Sequence, residues 1–397
     1  FEDLAAGISW QTIETGSTMT AVAGNGYWVD TTSNACTITL PASASVGDTI
    51  IFTDYARNWG TNGITIDPNG LNYQSGDDTF TIEYGTDGMS LAITYMDATQ
   101  GWVPTIDEAV ADVPSKKNME GIFGFGYPTT AVTNLVSDTG VVSTDVTGVG
   151  TARWGPGACE YGEDKGIFGF GNGPVSMTNL VTNAGVVGTD VTGVGTAREG
   201  SGACEYGGDK GIFGFGHTGS HSGVTNLVSN AGVVATDVAA VGTARYYTAA
   251  CEYGEDKGIF GFGSQASGGD CDITNLVSNA GVVATDVTGV GTARMGLGAC
   301  GYGGDKGIFG FGSGYTAVTN LVSNAGVVAS DTTGVGTIRG MVAACEYGGD
   351  KGIFGFGKNA TISPASMTNL VSNVGVVATD VTGVGTAREG LNACSFN

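Results

Sequence analysis

The chain has 397 residues, and although only 13% are charged, 38 Asp and Glu against 15 Lys and Arg leave a net charge of -23. Such a balance repels nucleic acid and anionic lipid, because neutralising phosphate takes clustered Lys and Arg, so no nucleic-acid partner is expected. No run of about 18 apolar residues occurs, and no membrane insertion is expected.

The first residues carry neither the basic nor the apolar segment of a signal peptide, so none is expected; without an initiator Met the chain reads as processed or partial. From residue 9 to 103 short alternating stretches read as strands between turns: 27–32, 36–41, 47–52 and 91–95. This run ends Asp97-Ala98-Thr99-Gln100-Gly101-Trp102 and resembles small β modules of bacteriophage tail-fibre and other virion appendage proteins. The resemblance implies a β-sandwich or β-barrel-like module at 1–103. It would join copies of the chain, as a fibre-like homotrimer, or attach it to other virion proteins. Residues 104–120, with Pro104, Pro114 and acidic patches, read as a linker.

Beyond the linker, Gly-Ile-Phe-Gly-Phe-Gly occurs six times, beginning at Gly121, Gly166, Gly211, Gly258, Gly307 and Gly352. A period of this size marks a closed or stacked repeat architecture. In the second copy Gly, Asp and Asn clusters divide the chain into four strands, 157–161, 165–170, 177–182 and 186–191. Alternation along the second strand would put Ile167 and Gly169 on one face and Phe168 and Phe170 on the other. Neither face is polar, so both need cover, as in radially stacked four-stranded sheets. The first copy opens at its second strand, and the chain ends with a first strand, 391–396, that has no successor. The C-terminal strand would therefore complete the first blade. A linear solenoid would want polar caps at both ends, and none is seen. The fold expected for 121–397 is an all-β, six-bladed propeller closed by its C-terminal strand.

Arg153, then Gly-Ala-Cys-Glu-Tyr and Gly-Ile-Phe-Gly-Phe-Gly, resembles the arginine, first strand and glycine-bearing second strand of the kelch repeat. Thr133-Asn134-Leu135 through Arg153 resembles its latter half. Gly-Phe-Gly replaces the paired glycines, and the spaced Tyr and Trp are absent. The resemblance implies the architecture and no particular activity.

Candidate chemistry is sparse. Cys159, Cys204, Cys251, Cys300, Cys345 and Cys394 occupy one repeat position. Ring-equivalent sites stand too far apart for relaxed disulfides, so these read as small buried hydrophobes. Cys36 and Cys271 read as free thiols, in keeping with synthesis in a reducing compartment. The two His, His217 and His221, share one inserted loop and supply neither a Ser/His/Asp set nor the several ligands of a kelch-like copper oxidase. The Gly-rich motifs are followed by no Lys-Ser/Thr and no helix, so they are not phosphate loops. Asp145, Asp190, Asp237, Asp286, Asp331 and Asp380 recur beside Thr and read as backbone hydrogen bonding in turns. Arg153, Arg198, Arg245, Arg294, Arg339 and Arg388 read as their partners between blades. Glu160, Glu205, Glu252 and Glu346 follow the Cys positions toward an axial channel, where Gly301 and Ser395 interrupt any calcium ring. No catalytic residue, metal or cofactor is expected.

The copies differ in two windows: the loop between strands two and three, and the residues after each Arg. In an antiparallel four-stranded blade both emerge on one face. That rim collects Tyr127, Trp154, His217, His221, Tyr246, Tyr247, Met295, Tyr315 and Met341. Aromatic and Met side chains on loops held by a rigid scaffold make a recognition surface. The expectation is a non-enzymatic phage appendage, made in the host cytoplasm and released in the virion, that binds a host cell-surface glycan or protein. A structural decoration protein is the alternative, and a glycan-cleaving spike using Glu199 and Glu389 a weaker one.

Overall fold

A computed structural model describes residues 7–76, 82–109, 119–267 and 269–396. Among these residues the protein is all-β: every element is a strand, and the strands form eight small sheets. The chain divides into two units, Phe1–Ser115 and Lys116–Asn397.

The first unit contains β1 (Ser9–Trp10), β2 (Thr18–Thr20), β3 (Asn25–Val29), β4 (Cys36–Thr39), β5 (Thr49–Asp54), β6 (Ile64–Asp67), β7 (Ile82–Tyr84), β8 (Met89–Asp97) and β9 (Gly101–Ala109). They form two sheets, β1-β3-β5-β8-β9 and β2-β4-β6-β7. Val29, Ile38, Phe52, Ile66, Leu91 and Ile93 from both sheets are fully or almost fully buried in one core with Trp59 and Trp102. The first six strands pair in parallel with the strand two places away, so the chain passes alternately between sheets. Parallel pairing needs crossovers, not hairpins, and alternation within short strands does not reveal it. β9 continues to Ala109 along β8, so residues 104–109 of the stretch read as a linker are strand. Residues 110–118 of that stretch lie outside the described residues.

In the second unit the repeat is built on β10 (Glu120–Gly124) and β11 (Thr133–Val136), then β12 (Gly157–Tyr161), β13 (Lys165–Gly169) and β14 (Thr178–Val181). β12-β13-β14 is an antiparallel sheet with Gly-Ile-Phe-Gly at its centre, and the four later repeats keep this order. The expected fourth strand is reduced to two isolated bridges, Val187 with Val181 and Val191 with Thr178. Three steps along β14 face four along the outer segment, which is a bulge. The buried Asn179 amide reaches into that bulge and donates to Gly188 O at 3.0 Å and Asp190 Oδ1 at 2.9 Å. A side chain thereby replaces part of the ladder.

The expected alternation along the second strand also breaks, at Phe170. Its φ is 63°, and the corresponding Phe of every repeat shares this left-handed conformation. The turn sends the two Phe rings to opposite faces. Phe168 packs with Ile122, Phe125 and Val181 against the preceding sheet, and Phe170 packs with Ile167 and Phe213 against the following one. Phe125 meets Phe168 edge-on, with centroids 5.2 Å apart, and the same contact recurs between each pair of neighbouring sheets.

The C-terminal strand, Asn392–Phe396, pairs antiparallel with β10, placing Cys394 opposite Ile122. It supplies the member that the first sheet otherwise lacks. Six sheets share six buried clusters, the last joining Phe123 and Val136 of the first sheet to Ile353 and Phe356 of the sixth. All eight cysteines are free and buried. The repeated ones lie against the next sheet's glycine: a β-carbon on Gly166 would sit 2.4 Å from Cys394 Sγ.

Candidate recognition site

Each repeated Arg is a buried clamp between consecutive sheets. Arg153 is 2% exposed and lies over the Phe125 ring, 4.1 Å from its centroid. Its Nε donates to Phe170 O at 2.7 Å and its Nη2 to Asn179 Oδ1 at 2.7 Å. Asp190 accepts from both the Thr151 amide and hydroxyl of the preceding repeat. Burial pushes the Asp190 carboxyl up, but hydrogen bonds from Thr151 and Asn179, with the Arg153 charge, outweigh it and hold the group below its ordinary value. The repeated Asp and Arg thus belong to scaffolding, and the same bonds close the sixth sheet on the first through Thr386, Arg388, Asn134 and Asp145. At that seam Arg388 Nε has no hydrogen-bond partner.

The residue after each Arg is hydrogen-bonded to the first residue of the next repeat's variable loop. Tyr127 and Glu389 exchange both backbone bonds, at 2.8 and 3.0 Å, as do His217 and Glu199. Asn172 donates to Trp154 O, and Ser313 to Met295 O. The two windows that vary in sequence are therefore one surface, joined backbone to backbone.

One position further on, the six connections bond to one another in a ring. Gly155 donates to Gly390, Gly390 to Met341, Met341 to Gly296, Gly296 to Tyr247, Tyr247 to Gly200 and Gly200 to Gly155, over 2.6–3.1 Å. All six residues have left-handed φ, between 49° and 63°. Four are Gly, which adopts this conformation freely; Tyr247 and Met341 hold it at an energetic cost. Backbone strain of this kind concentrates at functional sites. The Tyr247 ring lies over Gly200 and the Met341 sulfur over Gly296.

Tyr127, Trp154, Tyr247 and Met341 meet at a cavity of about 260 Å³, together with Lys358, Glu389 and Gly390. Tyr127 is 51% exposed. Lys358 Nζ lies 2.9 Å from Glu389 Oε1, whereas Glu389 Oε2 is buried with no hydrogen-bond partner in the protein. Burial raises the Tyr247 hydroxyl, and the charges of Glu199 and Glu389 add to the shift. A second cluster shares Tyr247: it packs on Tyr246, with centroids 4.6 Å apart, and Tyr246 contacts both His217 and His221. Seven of the nine rim residues picked from the sequence are thus contiguous. Met295 and Tyr315 make no ring contact with them. Lys358 opens one of the variable loops but has neither the aromatic nor the Met character that marks the other rim residues, and the only sequence signal of the left-handed ring is the Gly two places after Arg in four of six copies.

Glu160, Glu205, Glu252 and Glu346 line a separate cavity of about 30 Å³ together with the Ala and Cys residues of the same strands. Burial is the main cause that raises Glu160 to about 7 and Glu205 well above the ordinary range, and the Glu252 charge reinforces both. Among the described residues no group of His, Cys, Asp and Glu is arranged to hold a metal ion. No protein-family model matches the chain, and no curated protein matches it.

Proposed function

We propose that the protein is a bacteriophage virion appendage whose second unit is a kelch-like six-bladed β-propeller that binds a glycan receptor on the host cell surface. In this reading the first unit attaches the chain to other virion proteins or joins copies as a homotrimer. The propeller reading is supported by six inter-sheet clusters for six sheets and by the unbroken ring of six backbone bonds; a linear stack of six has only five interfaces. One observation carries the functional reading: the side chains that break the sixfold repeat gather on one surface, two of them in strained backbone where the other copies have Gly.

Binding without covalent chemistry is supported by the state of the two rim carboxylates. Glu199 accepts from Asn172 Nδ2 at 2.6 Å and does not line the cavity that holds Glu389. A glycosidase needs two carboxyl groups flanking one bond.

The test is adsorption of the purified protein to candidate host cells, with competition against phage. Trp154→Ala, Tyr246→Ala and Tyr247→Ala should each weaken binding at least tenfold. If the intact protein does not bind, or if all three variants bind normally, the receptor reading falls and a structural decoration role replaces it.

A further inference from the structure

We propose that the rim cavity beside Glu389 is a subsite for one neutral hexopyranose, held by a vicinal pair of hydroxyls across the Glu389–Lys358 ion pair. This rests on the glycan reading above and narrows it to a sugar class and a single place on the rim.

The polar groups define the ligand. Glu389 Oε2 is an acceptor with no donor in the protein and almost no accessible surface, so a ligand hydroxyl pairs with it only when the carboxylate turns toward the cavity, and that pairing removes the cost of a buried acceptor left unpaired. Lys358 gives one proton to Glu389 Oε1 and carries two more with no acceptor assigned in the cavity. The missing ligand groups are therefore a donor for Glu389 and at least one acceptor for Lys358. Adjacent sugar hydroxyls present that pair, since each hydroxyl both donates and accepts.

The walls and the charge narrow the class. Trp154 and Tyr127 line the cavity, and an aromatic wall suits a pyranose, whose C–H face packs against the negative face of a ring. About 260 Å³ lies below the roughly 300–1,000 Å³ of pockets for drug-sized ligands, which points to a single ring. An acidic sugar would bring its carboxylate against Glu389, in a protein of net charge -23, where Lys358 is already neutralised. An amino sugar would meet the Lys358 ammonium.

The site also occurs once. The residues equivalent to Lys358 in the other copies are Tyr127, Asn172, His217, Ser264 and Ser313, none a Lys or Arg. At the related position Glu199 is engaged by Asn172. Binding at one site per chain follows.

The experiment is calorimetric titration of the full chain with methyl hexopyranosides, with methyl glucuronoside and glucosamine as charged probes. One neutral hexoside should bind at one per chain, with the charged probes at least tenfold weaker. Glu389→Gln and Lys358→Met should each weaken it about tenfold while leaving the melting temperature within a few degrees. As a measurement independent of variant folding, the bound hexoside should perturb the Trp154 indole resonance of the unaltered protein. Equal binding of the glucuronoside, unaltered affinity in both variants, or no change at Trp154 would overturn the subsite. Cell adsorption separates the two readings: if it still depends on Trp154 and Tyr247, the receptor reading survives the loss of this subsite.

Discussion

Gly124 carries no side chain because the tip of Phe168 lies where one would be: a β-carbon there would sit 2.7 Å from Cζ. The contact recurs at Gly169 with Phe213 and at Gly214 with Phe260. Gly124→Ala should therefore destabilise the second unit by about 1–3 kcal/mol, the usual result of overpacking a core, and lower its thermal midpoint. Gly188 makes the contrast. Its φ is not left-handed, its nearest new contact would be an ordinary 3.5 Å, and four other copies already have Ala there. Gly188→Ala should stabilise by about 0.4–1 kcal/mol through the unfolded state. At Tyr247 stability and function part company. Replacing it with Gly relieves the left-handed backbone and removes a half-buried ring, so stability should move by no more than about 1 kcal/mol while cell adsorption is lost. Large destabilisation with adsorption intact would show that Tyr247 is scaffold. Alternation in the motif put both Phe on one face; only Phe168 and its equivalents pack over glycine, because the left-handed turn at Phe170 sends the second ring the other way. The left-handed ring was not legible in the sequence, because its signal is a Gly in a chain with 71 of them.

Among the elements, the C-terminal strand is the one whose absence leaves β10 with an open edge. Removing residues 391–397 should abolish cooperative unfolding of the second unit and promote association through that edge. Moving the same strand in front of Glu120, joined by the tight turn of the other sheets, should restore a single sharp transition. Failure of the rearranged chain to fold would count against the strand acting as the closing member. This pairing was readable because one copy lacked a first strand and the chain ended on a surplus one. The outer strand was harder. Its Val and Thr alternate well enough to suggest a regular ladder, but the Asn179 amide and the Asp190 carboxylate take over the bonding there. Local propensity does not register a bulge held open by a side chain from the neighbouring strand.

Across the whole molecule, two sets of carboxyls pull stability in opposite directions with pH. Glu160, at about 7 against an ordinary 4.5, and Glu205, also raised well above it, hold protons in the fold that they release on unfolding. Folding takes up protons in that window, so stability is greatest below about pH 4.5 for these groups and falls as pH rises through 7. The ring of Asp behaves oppositely, because interactions in the fold lower it: its contribution is present above the ordinary value and lost as pH falls through the folded one. The melting temperature should peak near pH 5 and decline toward pH 8, and Glu160→Gln with Glu205→Gln should flatten the alkaline side. A profile flat from pH 5 to 8 in the unaltered protein would contradict the burial of these carboxyls. Composition showed that the protein is acidic; only the packing shows which acids are enclosed.

β10 is also the strand through which the second unit is connected to the first, and it lies between two partners, β11 and the C-terminal strand. A pull on Glu120 directed along that strand would slide β10 past two hydrogen-bonded ladders at once instead of peeling them apart one bond at a time. Loading in shear distributes the force over the whole overlap. Tension that enters the second unit along β10 is thus met by both ladders together.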